Sequence, residues 1–158
     1  MRSSRILAMC LAWLVSASCG RSSGAPEVHT DLAELEKIVR VPKGVTSVRW
    51  LALGPTSTSR LPGPGDLPRT GLAYLETRPN FWADEGYRFA PGDTVSRKFE
   101  GKHAEALFPE SLRNSGSLSG GWLELRCVRL APEVFAPSPR VGEALRCGSG
   151  LVLSFRGP

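Results

Sequence analysis

The sequence has few of the residues that bind metals or carry acid–base catalysis in small domains. It contains two histidines, His29 and His103, and neither a histidine-rich tract nor a C-x-x-C pair. A structural zinc site needs about four such ligands at short spacing, so we expect no metal site and no cofactor. His29 is expected to lie in solvent. His103, close to Glu105, is expected to cap a helix or lie on the surface, with a general base as the alternative.

The motifs of nucleophilic and phosphate chemistry are also missing. Residues 116–120 (GSLSG) have the outline of a G-x-S-x-G turn, but Leu118 stands where the nucleophilic serine must be. Residues 62–66 (PGPGD) are rich in glycine, but proline has no backbone N–H to offer a phosphate. We therefore identify no catalytic residue and expect a non-enzymatic binding, accessory or scaffold domain. The alternative is a small periplasmic hydrolase that uses two carboxylates, which the 15 acidic residues do not single out.

The distribution of charge does not favour a nucleic-acid partner. The chain has 20 lysines and arginines against 15 aspartates and glutamates, which gives a net charge of +5. The basic residues are scattered along the sequence and form no long run. Nucleic-acid-binding domains concentrate such residues on one face or along one helix. We therefore expect no nucleic acid among the partners.

The one long apolar run stands at the N-terminus. Residues 1–5 are basic and polar, residues 6–15 are apolar, and residues 16–18 (SAS) are small. This order is typical of an export signal. Ten helical residues span about 15 Å, half of a hydrocarbon core, so the run is too short for a permanent transmembrane helix. We predict that residues 1–18 are a signal peptide.

The small residues are followed by Cys19 and Gly20. The sequence SASCG resembles the lipobox of bacterial lipoproteins, whose cysteine is diacylated and becomes the first residue of the mature chain. The resemblance implies a lipid anchor at Cys19, with residues 19–29 as anchor and flexible tether. Gly20 stands where an aspartate commonly retains Gram-negative lipoproteins at the inner membrane, which implies the outer membrane. The alternative is an ordinary secretory signal and a soluble periplasmic protein.

The chain has four cysteines, and their number bears on the anchor. Cys10 lies inside the predicted signal peptide and is removed with it. Three thiols would remain in an oxidising compartment, and an odd number leaves one without a partner. A lipid on Cys19 removes the odd thiol and leaves Cys127 to pair with Cys147. We predict this disulfide, with two free buried thiols as the alternative.

The hydrophobic patterns predict one α+β domain over residues 30–158. We expect a mostly antiparallel sheet of four to six strands with two helices on one face. The predicted strands are residues 45–53, 71–77, 122–130, 142–147 and 151–155. The predicted helices are residues 31–40 and a two-part segment, 102–114, whose second part begins at Pro109. The predicted loops and turns are residues 54–70, 91–93, 115–121, 131–139 and 147–150.

Binding candidates fall on predicted connections, because loops on a rigid scaffold often carry function. One is the proline-rich segment 61–66, and the other is the aromatic pair beside Asn80. Trp50 and Trp122, in predicted strands, are expected to pack in the core. The residues predicted to contact an envelope protein or polymer are Leu61, Pro62, Asp66, Phe81 and Trp82.

Overall fold

The computed structural model describes residues 26–53, 70–85, 91–132 and 141–156. In chain order the elements are α1 (Leu32–Glu36), β1 (Val45–Leu53), β2 (Thr70–Thr77), α2 (Phe81–Glu85), β3 (Pro91–Glu100), α3 (Gly101–Leu107), α4 (Glu110–Asn114), β4 (Ser117–Ser119), β5 (Trp122–Leu130), β6 (Val141–Cys147) and β7 (Gly150–Arg156). The predicted signal peptide, Cys19, the candidates Leu61, Pro62 and Asp66, and most of the predicted loops 54–70 and 131–139 lie outside these ranges. No helix in the described ranges is long and apolar enough to cross a membrane.

The seven strands of the described chain form one antiparallel sheet in the order β1-β2-β7-β6-β5-β3. The short strand β4 pairs with the first residues of β5, and β6 pairs with the last residues of β5. The antiparallel α+β prediction is therefore confirmed. The sheet has seven strands rather than four to six, and the described chain has four short helices rather than two.

Helices cover both faces of the sheet, which corrects the prediction of helices on one face only. On one face, α1 and Phe81 of α2 pack against β1, β2 and β7. On the other face, α3 and α4 pack against side chains of β2, β3, β5 and β6. The central strands β2 and β7 are therefore buried on both sides, and their nearly continuous apolar sequences reflect this position.

The sheet curls around α3. This helix contacts β1 and β3, the two strands at opposite ends of the strand order. Arg97 of β3 also reaches Glu143 of β6, with Nη2 2.9 Å from Oε2, although these strands are separated by β5. The right-handed twist of antiparallel strands accumulates into such curvature. The apolar core on the α3 face is therefore enclosed by the sheet.

The first predicted helix is shorter than expected. Its N-cap is Asp31, whose carboxylate accepts hydrogen bonds from the backbone N–H groups of Ala33 and Glu34 at 2.8 and 3.2 Å. At the other end, the N–H groups of Ile38 and Val39 both donate to the carbonyl of Leu35. This shared acceptor tightens the last turn, so α1 ends at Glu36 rather than at residue 40.

The two-part helix is confirmed. Pro109 separates α3 from α4 and is the N-cap of α4, with φ −62° and ψ 154°. Its carbonyl accepts hydrogen bonds from the N–H groups of Leu112 and Arg113. Proline has no N–H to continue α3, so the chain turns here and begins a second helix.

Two predicted turns are strands instead. Residues 91–93 begin β3, with an irregular register between Pro91 and Thr94. An edge strand tolerates a proline and a bulge, and β3 lies at the edge. Ser117–Ser119 forms β4, and the turn that follows is confined to Gly120 and Gly121. Both glycines have positive φ, 57° and 80°, as a two-residue hairpin turn requires.

The predicted disulfide between Cys127 and Cys147 is confirmed. It joins β5 to β6, and the two Cα atoms lie 4.5 Å apart, the spacing of directly opposite antiparallel residues. Beside it, β5 and β6 share only the three residue pairs between residues 128–130 and 144–146. We call this β5–β6 pairing the seam. It has the fewest residue pairs of any two neighbours in the strand order, and the disulfide reinforces it.

Candidate functional site

A concave feature of the described residues lies between α3, α4 and the β4–β5 hairpin. Its volume is about 760 Å³, within the roughly 300–1,000 Å³ range of small-molecule sites. We call it the hairpin cavity. The side chains that give it chemical character are Lys102, Glu105, Arg113, Asn114, Leu118 and Leu123.

Close backbone contacts hold the walls of the hairpin cavity together. The N–H of Gly101 at the start of α3 donates to the carbonyl of Gly121 at 2.7 Å. A Cβ atom on Gly101 would stand 2.8 Å from that same oxygen. A Cβ on Gly116, after α4, would stand 2.6 Å from the carbonyl oxygen of Glu124. Both helices therefore approach the hairpin at positions that only glycine fits, and the cavity is formed before any ligand arrives.

Arg113 supplies an unsatisfied positive charge at the hairpin cavity. Within α4, Leu112 packs into the core while Arg113 lines the cavity. Its Nε is buried and has no hydrogen-bond partner among the described residues, and its guanidinium forms no ion pair with them. Leaving a buried polar atom unsatisfied costs about 1–3 kcal/mol. Because Nε is enclosed by protein, a ligand carboxylate in the cavity would pair with the charge of the guanidinium rather than with this atom.

Two charged side chains of α3 also line the hairpin cavity. Lys102 and Glu105 lie three positions apart, so they share one side of the helix, while Ala104 and Leu107 are buried. The ammonium of Lys102 lies 2.8 Å from Oε1 of Glu100. Glu105 has no ion-pair partner within the described ranges, and no ion pair joins it to Arg113. Among the described residues, the cavity thus presents an unpaired carboxylate, Glu105, and an unpaired guanidinium, Arg113.

The apolar part of the hairpin cavity comes from the hairpin itself. Leu118 of β4 lies opposite Leu123 of β5 and shares its side of the hairpin. Leu123 is buried, whereas Leu118 is 73% exposed. A leucine this exposed beside a cavity is a surface that an apolar group of a ligand can cover.

Trp122 is half exposed, which corrects the prediction that it packs in the core. It precedes Leu123 in β5, and successive side chains of a strand point to opposite faces. The buried residues Leu123, Leu125 and Cys127 occupy the α3 face, so Trp122 points away from it and is 49% exposed. Trp50, by contrast, is in the core as predicted.

His103 pairs with Glu100 rather than Glu105. Its Nδ1 lies 3.3 Å from Oε2 of Glu100, and its side chain is 18% exposed. Burial lowers the pKa of His103 below its ordinary value, and the Glu100 carboxylate opposes this shift in part. A hydrogen bond from Lys102 lowers the pKa of Glu100 in turn. His103 therefore lies in a charged cluster at the start of α3, outside the hairpin cavity.

The aromatic pair predicted to bind a partner has structural contacts. Phe81 is fully buried in the core, which leaves it no surface with which to contact a partner. Trp82 is half buried and packs edge-on against Phe81 at 5.1 Å between ring centroids. Its Nε1 donates to the carbonyl of Ser149 at 2.8 Å, and the guanidinium of Arg146 lies 4.5 Å from its ring centroid. Trp82 thus fastens α2 to the β6–β7 turn.

The residues of the hairpin cavity were not identified from the sequence. Leu118 stands where a G-x-S-x-G motif would have its serine, which indicates no binding role. Arg113 lies in a segment whose sequence predicts only a short helix. The signal that could have found them is an apolar residue isolated among serines and glycines in a hairpin. No protein-family model, curated protein or solved structure matches the chain. Within the described ranges, the class is defined by the fold: a curled antiparallel α+β domain with one disulfide and a cavity of ligand size.

Proposed function

We propose that the chain is a lipid-anchored protein of the bacterial outer membrane whose domain binds a partner in the hairpin cavity. The observation that carries the binding role is the unpaired Arg113 beside the exposed Leu118 in a cavity whose walls are held by backbone contacts. The observation that carries the location is the lipobox-like sequence ending at Cys19.

The way the chain enters the domain suits a tethered protein. The backbone of His29 exchanges two hydrogen bonds with Trp50 of β1, at 2.8 and 2.9 Å. The nine residues 20–28 between Cys19 and this bridge reach at most about 30 Å when fully extended. In the strand order, β1 stands at one end and the hairpin cavity borders β5 near the other. The proposed attachment and the proposed binding site therefore use different strands.

A hydrolase remains the alternative function. Glycoside hydrolysis uses two carboxyl groups on either side of the scissile bond. The hairpin cavity has one, Glu105, among the described residues that line it. A single carboxylate together with the guanidinium of Arg113 and the exposed Leu118 favours ligand recognition over glycoside hydrolysis.

The anchor is tested by changing Cys19 to serine. The thioether-linked lipid cannot form on a serine, so Cys19→Ser is expected to move the protein from the membrane fraction to the soluble periplasmic fraction. Cys10→Ser, within the same signal peptide, is the matched control and is expected to stay in the membrane fraction. A wild-type protein that takes up no fatty-acid analogue in metabolic labelling would contradict the anchor.

The binding site is tested with a photo-crosslinking amino acid at position 118 in intact cells. We expect covalent capture from this position, because Leu118 faces the hairpin cavity and is exposed. Leu32 of α1 is also exposed, and α1 packs through Leu35 on the other face of the sheet, so position 32 is the control. Equal capture from both positions, or none from position 118, would count against the cavity.

A further inference from the structure

We infer that the hairpin cavity binds a short zwitterionic peptide, one with a free amino end, a free carboxyl end and apolar side chains. The inference rests on the proposed binding function and specifies its ligand. It follows from three side chains that line the same cavity: Arg113 and Glu105, which form no ion pair with any described residue, and the exposed Leu118.

The two unpaired charges call for opposite charges on the ligand. Arg113 comes from α4 and Glu105 from α3, and no ion pair joins them across the cavity among the described residues. A ligand carboxylate can accept hydrogen bonds from the guanidinium of Arg113 in the forked geometry that arginine favours. A ligand ammonium can donate to Glu105 at the same time. One zwitterion thus satisfies both groups, whereas an anion alone leaves Glu105 unpaired.

The third charge in the cavity does not alter this balance. Lys102 is already paired with Glu100, which does not line the cavity. The charges left for a ligand are therefore one positive and one negative. A phosphate dianion would meet repulsion from Glu105 and find one unpaired cation, so the cavity suits a net-neutral ligand better than a phosphorylated one.

The apolar lining of the cavity indicates that the part of the ligand between its two charged ends is apolar. Leu118 and Leu123 lie opposite one another on the hairpin, and Ala104 of α3 also lines the cavity. An apolar side chain placed there would cover the exposed part of Leu118. The volume of about 760 Å³ exceeds what one amino acid needs, so a peptide of two or three residues fits better than a free amino acid.

The experiment compares matched ligands by calorimetry, using the full-length chain purified in mild detergent. The probes are Leu-Leu, N-acetyl-Leu-Leu, Leu-Leu amide, free leucine and octanoate. We expect Leu-Leu to bind most tightly, with acetylation and amidation each weakening binding about tenfold or more, because each removes one charge-assisted hydrogen bond. Free leucine is expected to bind more weakly than Leu-Leu because it covers less of the apolar surface.

Variants then assign each end of the ligand. Arg113→Gln is expected to weaken Leu-Leu while leaving Leu-Leu amide unchanged, and Glu105→Gln is expected to weaken Leu-Leu while leaving the acetylated peptide unchanged. Glu110→Gln, an exposed change in α4, is the control and is expected to bind like the wild type. This pattern depends on charge and would not follow from a general loss of structure.

Three outcomes would overturn the inference. Equal binding of Leu-Leu and its acetylated form would remove the role of Glu105, and tighter binding of octanoate would identify an acyl carboxylate as the ligand. If no probe binds while position 118 still captures a partner in cells, the zwitterionic ligand is wrong and the binding function stands. If neither binding nor capture is observed, both fail.

Discussion

At the scale of single residues, exposure of the aromatic side chains is decided by which face of an element they occupy. The sequence predicts an exposed Phe81 and a buried Trp122. In the structure Phe81 is buried and Trp122 is half exposed. The alternation through Leu123, Leu125 and Cys127 contains the information for Trp122, because it assigns the even positions of β5 to the other face. No such pattern exists around Phe81, whose helix has five residues.

Replacing Trp82 with alanine is expected to destabilise the domain. The change removes a hydrogen bond to Ser149, a cation–π contact with Arg146 and packing against Phe81. Together these contribute about 2 kcal/mol, which corresponds to a fall of roughly 4–8 °C in the thermal midpoint. The measurement is thermal unfolding followed by circular dichroism.

Trp122→Ala is the matched control, because Trp122 is the same residue type but is half exposed. It should lower the midpoint much less. An unchanged midpoint in Trp82→Ala would contradict this structural role and would agree with the partner-binding role that the sequence predicts for Trp82.

At the scale of elements, the sequence predicts a strand correctly where it is rich in β-forming residues or alternates regularly, and it fails where the composition is that of a loop. β1 and β5 have the predicted bounds. β1 is rich in β-branched and aromatic residues, and β5 alternates apolar and polar residues. β3 and β4 were missed, since one begins with Pro-Gly-Asp and the other consists of two serines around a leucine. β3 pairs with β5, a partner distant in sequence, which local propensity cannot reveal. β4 pairs with β5 through a local turn, and the pair Gly120-Gly121 is a sequence signal for this hairpin. The hairpin cavity was missed because its walls are two helices and a hairpin that the sequence does not show to lie together.

The contact between α4 and β5 is expected to tolerate no side chain at position 116. In Gly116→Ala, the new Cβ would lie 2.6 Å from a backbone oxygen that cannot rotate away. Forcing α4 from the sheet is expected to cost about 1–3 kcal/mol, as overpacking does elsewhere. The free energy of unfolding from urea titration is the measurement.

Gly142→Ala is the control for this change. A Cβ at Gly142 would meet its nearest neighbours at 3.5 and 3.8 Å, which is ordinary contact. It is expected to be neutral or slightly stabilising, by up to about 1 kcal/mol, because alanine has less conformational freedom in the unfolded chain. Equal losses in the two variants would show that position 116 has no special steric role.

At the scale of the whole molecule, the sheet is two groups of strands joined at one short seam. β1, β2, β7 and β6 form one group, and β5, β3 and β4 form the other. Three residue pairs and the Cys127–Cys147 disulfide join them within the sheet. Cysteine parity predicted this bond, but its place at the seam required the strand order.

Removing the disulfide is expected to weaken the seam before the rest of the sheet. The double variant Cys127→Ala/Cys147→Ala loses about 3 kcal/mol in the chain-entropy account of a loop of this size. Hydrogen exchange should accelerate first at residues 128–130 and 144–146, where β5 and β6 pair. The amides that pair β2 with β7 are the internal control, and a uniform acceleration at both places would contradict a localised seam.

The bridge between His29 and Trp50 has a mechanical consequence for the anchored protein proposed above. Tension along the tether would load this bridge first, because two backbone hydrogen bonds and a ring stack at 4.3 Å hold the chain there. When it opens, residues 29 and 30 are released as far as Asp31, the cap of α1, which adds at most about 7 Å of extended chain, while the seven strands keep their pairing. Under tension from the membrane, the bridge would therefore open before the strands of the sheet separate.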